Sequence, residues 1–278
     1  MTVKIVTDRT CDIPAELEKE LNIINIPVYL VFGKTSFRDG VDITTDQFYQ
    51  KLLHEPVYPT TSQPTPKDFA DVFNKLSQEA DGILAIHISK KLSGTINSAE
   101  QAIKMVTTKG PIEIIDSLSV SMGLGLQVIA AARMAKQGKN LAEISAAVKK
   151  MVPDTKVFIL FDTLEYLAKG GRIGKAKSLM GAILNVKPMI SVKDGELVPS
   201  GQVRSRSKGK EKLLDFANNL KDVEDLAVIY STTPDEAREM ANSITSFPKE
   251  RIHVQRIGPV LATHTGPGVL GIAVRTKS

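Results

Sequence analysis

Hydroxyl side chains crowd three separate stretches of this chain, each placed where a strand or helix should end. Tyr58-Pro59-Thr60-Thr61-Ser62-Gln63-Pro64 carries three adjacent hydroxyls, Ser93-Gly94-Thr95 opens a helix, and Thr263-His264-Thr265 lies within the stretch Gly258 to Gly268. Free backbone N–H groups beside Ser93 and Gly94, with the positive end of the helix dipole, favour an anion. A serine there also serves the helix simply as its N-cap. Thr60, Thr61 and Ser62 add donors, His264 donates as a neutral ring or carries charge, and Arg172 in Gly170-Gly171-Arg172-Ile173-Gly174 can face the same place. Such a set suits a carboxylate, and it contains no obvious general base.

Patterns for independent catalysis fail one after another. Gly266 to Gly271 matches a dinucleotide loop in letters, but only seven residues follow it, too few for the helix and acidic residue that the site needs. Gly174-Lys175 lacks both the first glycine and the hydroxyl of a phosphate loop. The serines at 117, 119 and 121 have glycines only downstream, so no nucleophile elbow forms. His54 and His87 fall in a helix and a strand, no paired-histidine zinc motif occurs, and Cys11 is flanked by Asp12, which does not favour its thiolate. No metal ligand set, cofactor site or catalytic group is expected. One enzymatic alternative stands: a hydrolase or transferase acting on a small acyl or carbonyl substrate through His264 and Ser93, which requires those two within hydrogen-bond reach.

The elements that must position these loops follow from periodicity. Short apolar runs at Val3 to Thr7, Ile23 to Phe32, Gly82 to Ile88 and Pro111 to Ile115 alternate with helical patterns at 14–21, 45–54, from Pro66 and from Ser93. Three prolines argue against regular structure between Tyr58 and Pro66. Helices over 120–136 and 141–151 precede a strand at 156–161, a short helix at 163–168, a helix at 175–184 and a hairpin at Asp194-Gly195. A helix at 211–220, a strand at 226–231, a helix at 234–246 and strands at 252–257 and 269–274 close the chain. This alternation predicts an α/β fold of two layered domains with mainly parallel sheets and some antiparallel pairing in the second. The domain boundary falls near Pro153, giving domains at 1–153 and 154–278 with the ligand site between them.

Composition narrows the class. The 278 residues are 42% hydrophobic and 24% charged, the balance of an ordinary folded chain. A formal charge of +5 with only 5% aromatic residues does not support nucleic-acid binding. One cysteine closes no disulfide within the chain, no signal-like start is visible, and the longest uncharged stretch, 117–132, is too short to span a bilayer. A cytoplasmic protein without a transmembrane segment is expected.

Five ordered blocks together resemble the DegV family: Asp8-Arg9-Thr10-Cys11-Asp12-Ile13-Pro14, Pro59 to Pro64, Leu92 to Thr95, Asp162 to Leu167 with Gly170 to Gly174, and Gly258-Pro259 with Thr263 to Gly268. The resemblance spans nearly the whole chain. It implies a bacterial, two-domain protein that binds a long-chain fatty acid such as palmitate, burying the acyl chain between the domains. By that likeness Thr61 and Ser93 match the carboxylate contacts first, with Ser62, Gly94, Arg172 and His264 in or near the network. Some members of the family serve as fatty-acid-binding subunits of a fatty acid kinase, presenting the acid to a separate ATP-binding subunit that makes an acyl phosphate. Lipid transport or a place in fatty acid metabolism are the related roles. The likeness departs at Arg9, where a small hydroxyl residue is common, and at Gln202, where a lysine is common.

A buried alkyl chain of about 14 methylenes supplies on the order of 11 kcal/mol before binding costs, which calls for an apolar tunnel. Val157 to Phe161, Ile183 to Ile190 and Val260 to Leu261 are its candidates, each of which also reads as plain core. Arg204 and Arg206 begin a basic run that, if extended, projects alternate charges to one face. That face suits docking to an acidic partner surface such as the kinase subunit, or simply remains solvated.

Overall fold

Strand and helix alternate through the first 116 residues because short apolar runs are separated by helices that carry their own start signals. The computed structural model describes residues 2–107, 110–180 and 186–277. The first half contains β1 (Val3–Asp8), α1 (Ala15–Glu20), β2 (Ile24–Ile26), β3 (Tyr29–Phe32), β4 (Thr35–Arg38), α2 (Thr45–His54), β5 (Thr60–Ser62), α3 (Pro66–Leu76), β6 (Gly82–His87), α4 (Thr95–Ile103) and β7 (Ile112–Asp116). Thr44 and Thr65 open α2 and α3 with reciprocal capping boxes, each hydroxyl accepting from the third helical N–H. Strand order β2-β1-β6-β7 makes a four-stranded sheet, parallel in every pairing, with β6 buried at all six positions.

The expected single strand from Ile23 to Phe32 is divided. Pro27 lies between β2, which stays in the parallel sheet, and β3, which joins an antiparallel sheet of order β4-β3-β5. Proline has no N–H to give a ladder, so the chain changes sheets there. The segment from Tyr58 to Pro66, expected to be irregular, contains β5, because its prolines at 59 and 64 stand just outside the three paired residues.

The second half contains α5 (Met122–Lys136), α6 (Leu141–Asp154), β8 (Thr155–Leu160), α7 (Glu165–Lys169), β9 (Lys187–Lys193), β10 (Glu196–Val203), α8 (Arg206–Asn218), β11 (Val223–Tyr230), α9 (Pro234–Ser243), β12 (His253–Arg256), α10 (Pro259–Thr265) and β13 (Leu270–Thr276). The chain is thus α/β, with a second sheet of order β10-β9-β8-β13-β11-β12. In this sheet only β11 and β12 pair in parallel, so antiparallel pairing extends well beyond the expected hairpin. That hairpin is present: Asp194 and Gly195 both take positive φ, 50° and 78°, as a two-residue turn between twisted strands requires. Between 174 and 179 the chain makes a tight 3-10 turn where a longer helix was expected, and the rest of that span, with Ile183, lies outside the described residues.

Helix α5 joins the two sheets. Its residues from Met122 to Ala132 are all buried, and it packs on β1 and β6 of one sheet and on β8, β11 and β13 of the other. A helix apolar around nearly its whole circumference, its one buried polar side chain Gln127 donating to the Ser117 carbonyl at 3.1 Å, must be covered on all sides, which accounts for its place between layers. One hydrophobic cluster accordingly runs from Ile5 and Leu84 through Leu124 and Val128 to Ile159 and Ala273. Among the described residues no helix is long and apolar enough to cross a membrane.

Candidate ligand site

Two turns, a strand and a short helix surround a cavity. The turn from β6 into α4, strand β5, the Gly-rich turn after α7, and α10 each contribute a wall. The segment 258–268, read from sequence as a loop, contains α10, with Pro259 at its first turn and Gly266 (φ 71°) past its end. Seven residues of helix bury Val260, Leu261, Thr263 and His264, and turn Val260, Leu261 and His264 toward the cavity.

The cavity contains about 840 Å³ of space between atoms, its mouth included. Val28, Ile88 and Val120 line it from the first half of the chain, Ile159, Phe161 and Ile229 from the second. Of the sequence-derived tunnel segments, Ile159, Phe161, Val260 and Leu261 reach the cavity, whereas Ile190 is buried in the core away from it. Thr61, Gln63, Ser93, Arg172, His264 and Thr265 form a polar part of the wall, and Thr10 and Ser121 contribute two further hydroxyls.

Thr61 and His264, 203 residues apart, meet with Oγ1 and Nε2 2.7 Å from each other. Pairing of β5 with β3 sets Thr61 opposite the fully buried Leu30, so Thr61 faces inward. Ser62, one residue on, is exposed and does not line the cavity. The expectation that Ser62 joins the network is therefore corrected: successive strand residues point to opposite faces, and only one of two neighbours can serve the site. Ser93 Oγ lies 2.9 Å from Thr95 Oγ1 and accepts from the Thr95 N–H at 3.3 Å, while Gly94 rather than Ser93 is the N-cap of α4. A side chain on Gly94 would overlap Gln63, whose Nε2 donates to Ser98 Oγ at 3.0 Å. Gly94 thus lets the β5 loop lie directly against the helix start.

Burial first, and then the nearby Arg172 guanidinium, push the His264 pKa down to about 4. The ring is neutral at physiological pH. Its Nδ1 is buried without a hydrogen-bond partner and lies against Gly170, where any side chain would collide with it. Arg172 reaches the cavity wall from an exposed turn, with Nη1 donating to the Gly170 carbonyl at 2.7 Å. His264 and Ser93 each bond a threonine rather than one another, so the hydrolase or transferase alternative finds no paired base and nucleophile.

Two residues that sequence reasoning passed over belong to this wall. Gln63 follows the hydroxyl run, and Thr265 Oγ1 is buried with no partner. The signal for Gln63 was its place two residues beyond Thr61, just past the end of β5. The remaining three histidines lie elsewhere: His54 is exposed at the end of α2, His87 Nδ1 meets the fully buried Asp8 carboxylate at 2.9 Å, and His253 opens β12.

The basic run behaves differently from expectation. Arg206 does not lie on an extended segment; it begins α8 behind the Ser205 cap. Its guanidinium bonds Glu236 at 2.5 Å, Asp162 at 3.1 Å and the Gly268 carbonyl at 2.7 Å. Lys208 pairs with Glu211, and Lys210 lies 3.7 Å from Glu236. Arg206 is therefore committed inside the molecule, while Arg204 is exposed.

The site is thus an α/β architecture holding a mainly apolar cavity, lined on one side by hydroxyls, an uncharged imidazole and Arg172. A family model described as an uncharacterised protein of the DegV family matches residues 2–277. A DegV domain-containing protein of Caldanaerobacter subterraneus is 37% identical over 281 residues, covering 99% of each chain. Among solved structures, a fatty-acid-binding DegV family protein from Thermus thermophilus superposes with a TM-score of 0.91 at 34% identity over the full length of both chains. A stearic acid-binding protein from Eubacterium ventriosum superposes at 0.89 with 30% identity, covering 99% of this chain and 98% of that one. The present chain belongs to the DegV family.

Proposed function

We propose that this protein binds one long-chain fatty acid, of the palmitate kind, between an N-terminal domain of residues 1–153 and a C-terminal domain of residues 154–278. The observation that carries the reading is the pairing of an apolar cavity with a polar clasp of hydroxyls, a neutral imidazole and Arg172, drawn from both halves of the chain. The acyl chain lies along Val28, Ile159, Phe161 and Val260, where each buried methylene contributes about 0.8 kcal/mol. Its carboxylate is held by Thr61, Ser93 and the helix start at Gly94, with His264 and Arg172 beside them. His264 Nε2–H donates to Thr61 Oγ1, which frees the threonine proton for the carboxylate; an acceptor-only anion requires that order. Relatives whose fatty-acid binding is known match the chain from end to end, which supports the same ligand here.

Hydroxyls and an uncharged imidazole orient the carboxylate, with Arg172 the one charged side chain along the described cavity wall, so the bound acid remains available for later chemistry. That property, with the missing phosphate loop, supports a role in presenting the acid to a separate ATP-binding kinase subunit for acyl-phosphate formation, within fatty acid metabolism or lipid transport. Arg204 is an exposed residue at the start of the basic run, and it suits docking to such a partner. Native mass spectrometry of gently purified protein, followed by extraction of the retained ligand, tests the binding reading. A long-chain acid in near one-to-one amount is expected; protein that emerges empty and fails to take up palmitate refutes it. Mixing loaded protein with ATP and the kinase subunit should yield acyl phosphate, and an unaltered acid refutes presentation.

A further inference from the structure

Tyr58 stands just ahead of β5, where that strand meets α7 and α10. Its hydroxyl donates to the Thr263 carbonyl at 2.9 Å and lies 3.3 Å from the Tyr166 carbonyl. Thr263 is fully buried in the last turn of α10. In a continuing helix its carbonyl would accept from the N–H of residue 267, but Pro267 has none to give. The Tyr58 hydroxyl supplies the missing donor. Burial, and then Tyr166 beside it, push the Tyr58 pKa up to about 12, so the phenol keeps the proton it shares.

Two ties therefore join the same pair of segments side by side. Tyr58 holds Thr263, and a few residues on, Thr61 meets His264 at 2.7 Å. The Tyr166 carbonyl also accepts from the Gly170 N–H at 2.9 Å, and Gly170 is the residue against which His264 Nδ1 rests. The Tyr58 ring packs on the Tyr166 ring with centroids 5.7 Å apart, and Lys169 Nζ lies over it at 5.4 Å. Tyr166 in turn fills the space beside Gly266, where a side chain would overlap its ring. The imidazole is confined by α10, which carries it, and by the end of α7, which it touches; both are bound to one tyrosine. Tyr58 itself does not line the cavity.

We propose that Tyr58 is a positioning residue for the carboxylate clasp: through the Thr263 carbonyl it fixes the His264 imidazole, and through His264 the direction in which Thr61 gives its proton. The inference rests on the binding reading above, since only an acid needs that direction. Without the hydroxyl, the Thr263 carbonyl is buried with no donor, a state the chain relieves by shifting until water reaches it. His264, the next residue, shifts with it. A hydrogen bond from Nε2–H to Thr61 Oγ1 weakens steeply as its angle bends, so the loss falls on the polar head of a ligand and spares its tail.

Tyr58→Phe removes the hydroxyl and keeps the ring on Tyr166, and one hydroxyl on a half-buried side chain is too little to unfold the chain. In delipidated full-length protein the substitution should raise the Kd for palmitate about 3- to 10-fold, while that for methyl palmitate changes by less than about twofold. Nitrogen NMR of the ligand-free chain reads the imidazole directly. His264 should hold the Nε2–H tautomer in the wild type; in Tyr58→Phe it should populate both tautomers, with its pKa raised from about 4 toward the ordinary 6.5. A mere packing role for Tyr58 would lower the urea midpoint and leave the tautomer as it was. Wild-type affinity for palmitate, equal losses for acid and ester, or unaltered His264 resonances each overturn the proposal. If the wild-type chain takes up no palmitate, the binding reading fails by itself, and the His264 resonances still decide whether Tyr58 positions the ring.

Discussion

Replacing Thr61 by valine removes one hydroxyl and almost no volume, so it isolates the clasp from the tunnel. The wild-type hydroxyl lies 2.7 Å from His264 Nε2 and faces the cavity. Upon binding it should donate to a carboxylate, a charge-assisted bond of about 1.5 to 3 kcal/mol, offset in part by solvation of the free acid. Thr61→Val also leaves His264 Nε2 unpartnered beside the cavity. Together these effects predict a loss of about 1 to 3 kcal/mol, roughly a 5- to 150-fold rise in Kd for palmitate. Isothermal titration of delipidated protein measures it, with methyl palmitate as the comparison ligand. The ester has the same chain and no charge, so its affinity should change by less than about twofold. Equal losses for acid and ester would show that Thr61 shapes the tunnel instead, and no loss for either would remove Thr61 from the clasp.

Three further outcomes follow from the geometry. Gly170→Ala places a methyl group against the His264 ring, and should weaken palmitate binding by about tenfold through displacement of the imidazole, read by the same titration against wild type. Asp39→Asn should stabilise the fold at pH 8 by about 2 to 3 kcal/mol in urea denaturation, because burial raises the Asp39 pKa to about 6. A carboxyl raised to about 6 favours the folded state below its unfolded value near 4 and loses that contribution as pH rises through 6, so the difference should vanish toward pH 4; a pH-independent gain would contradict the assignment. Arg206→Ala should cost about 2 kcal/mol of stability, because Glu236, Asp162 and the Gly268 carbonyl lose a shared donor; unchanged urea midpoints would show that the network contributes nothing.

Much of this organisation was legible in the chain's own pattern, and the exceptions have physical causes. Helix α2 runs from Thr45 to His54 as periodicity predicts, because Thr44 and Gln47 fix its start locally. The hairpin at Asp194-Gly195 is likewise local. Strand β5 was not legible: three residues between prolines form a strand only because β3 offers a partner, which is tertiary information. Helix α10 was hidden for a similar reason, being short, rich in threonine and stabilised by burial rather than propensity. At the site, residue types identified Thr61, Ser93, Arg172 and His264 as candidates, but the choice of Thr61 over Ser62 depends on which strand face turns inward. Arg206 was misread because its acidic partners at 162 and 236 lie 44 and 30 positions away.

The buried stretch of α5 has a further consequence. A rod wetted nowhere along eleven residues, and glued to both sheets at once, acts as a weld rather than a hinge. Prising the layers apart would strip oil from two surfaces simultaneously, so on the proposed function a soap-length guest is expected to thread past the rim rather than enter by separation of the layers.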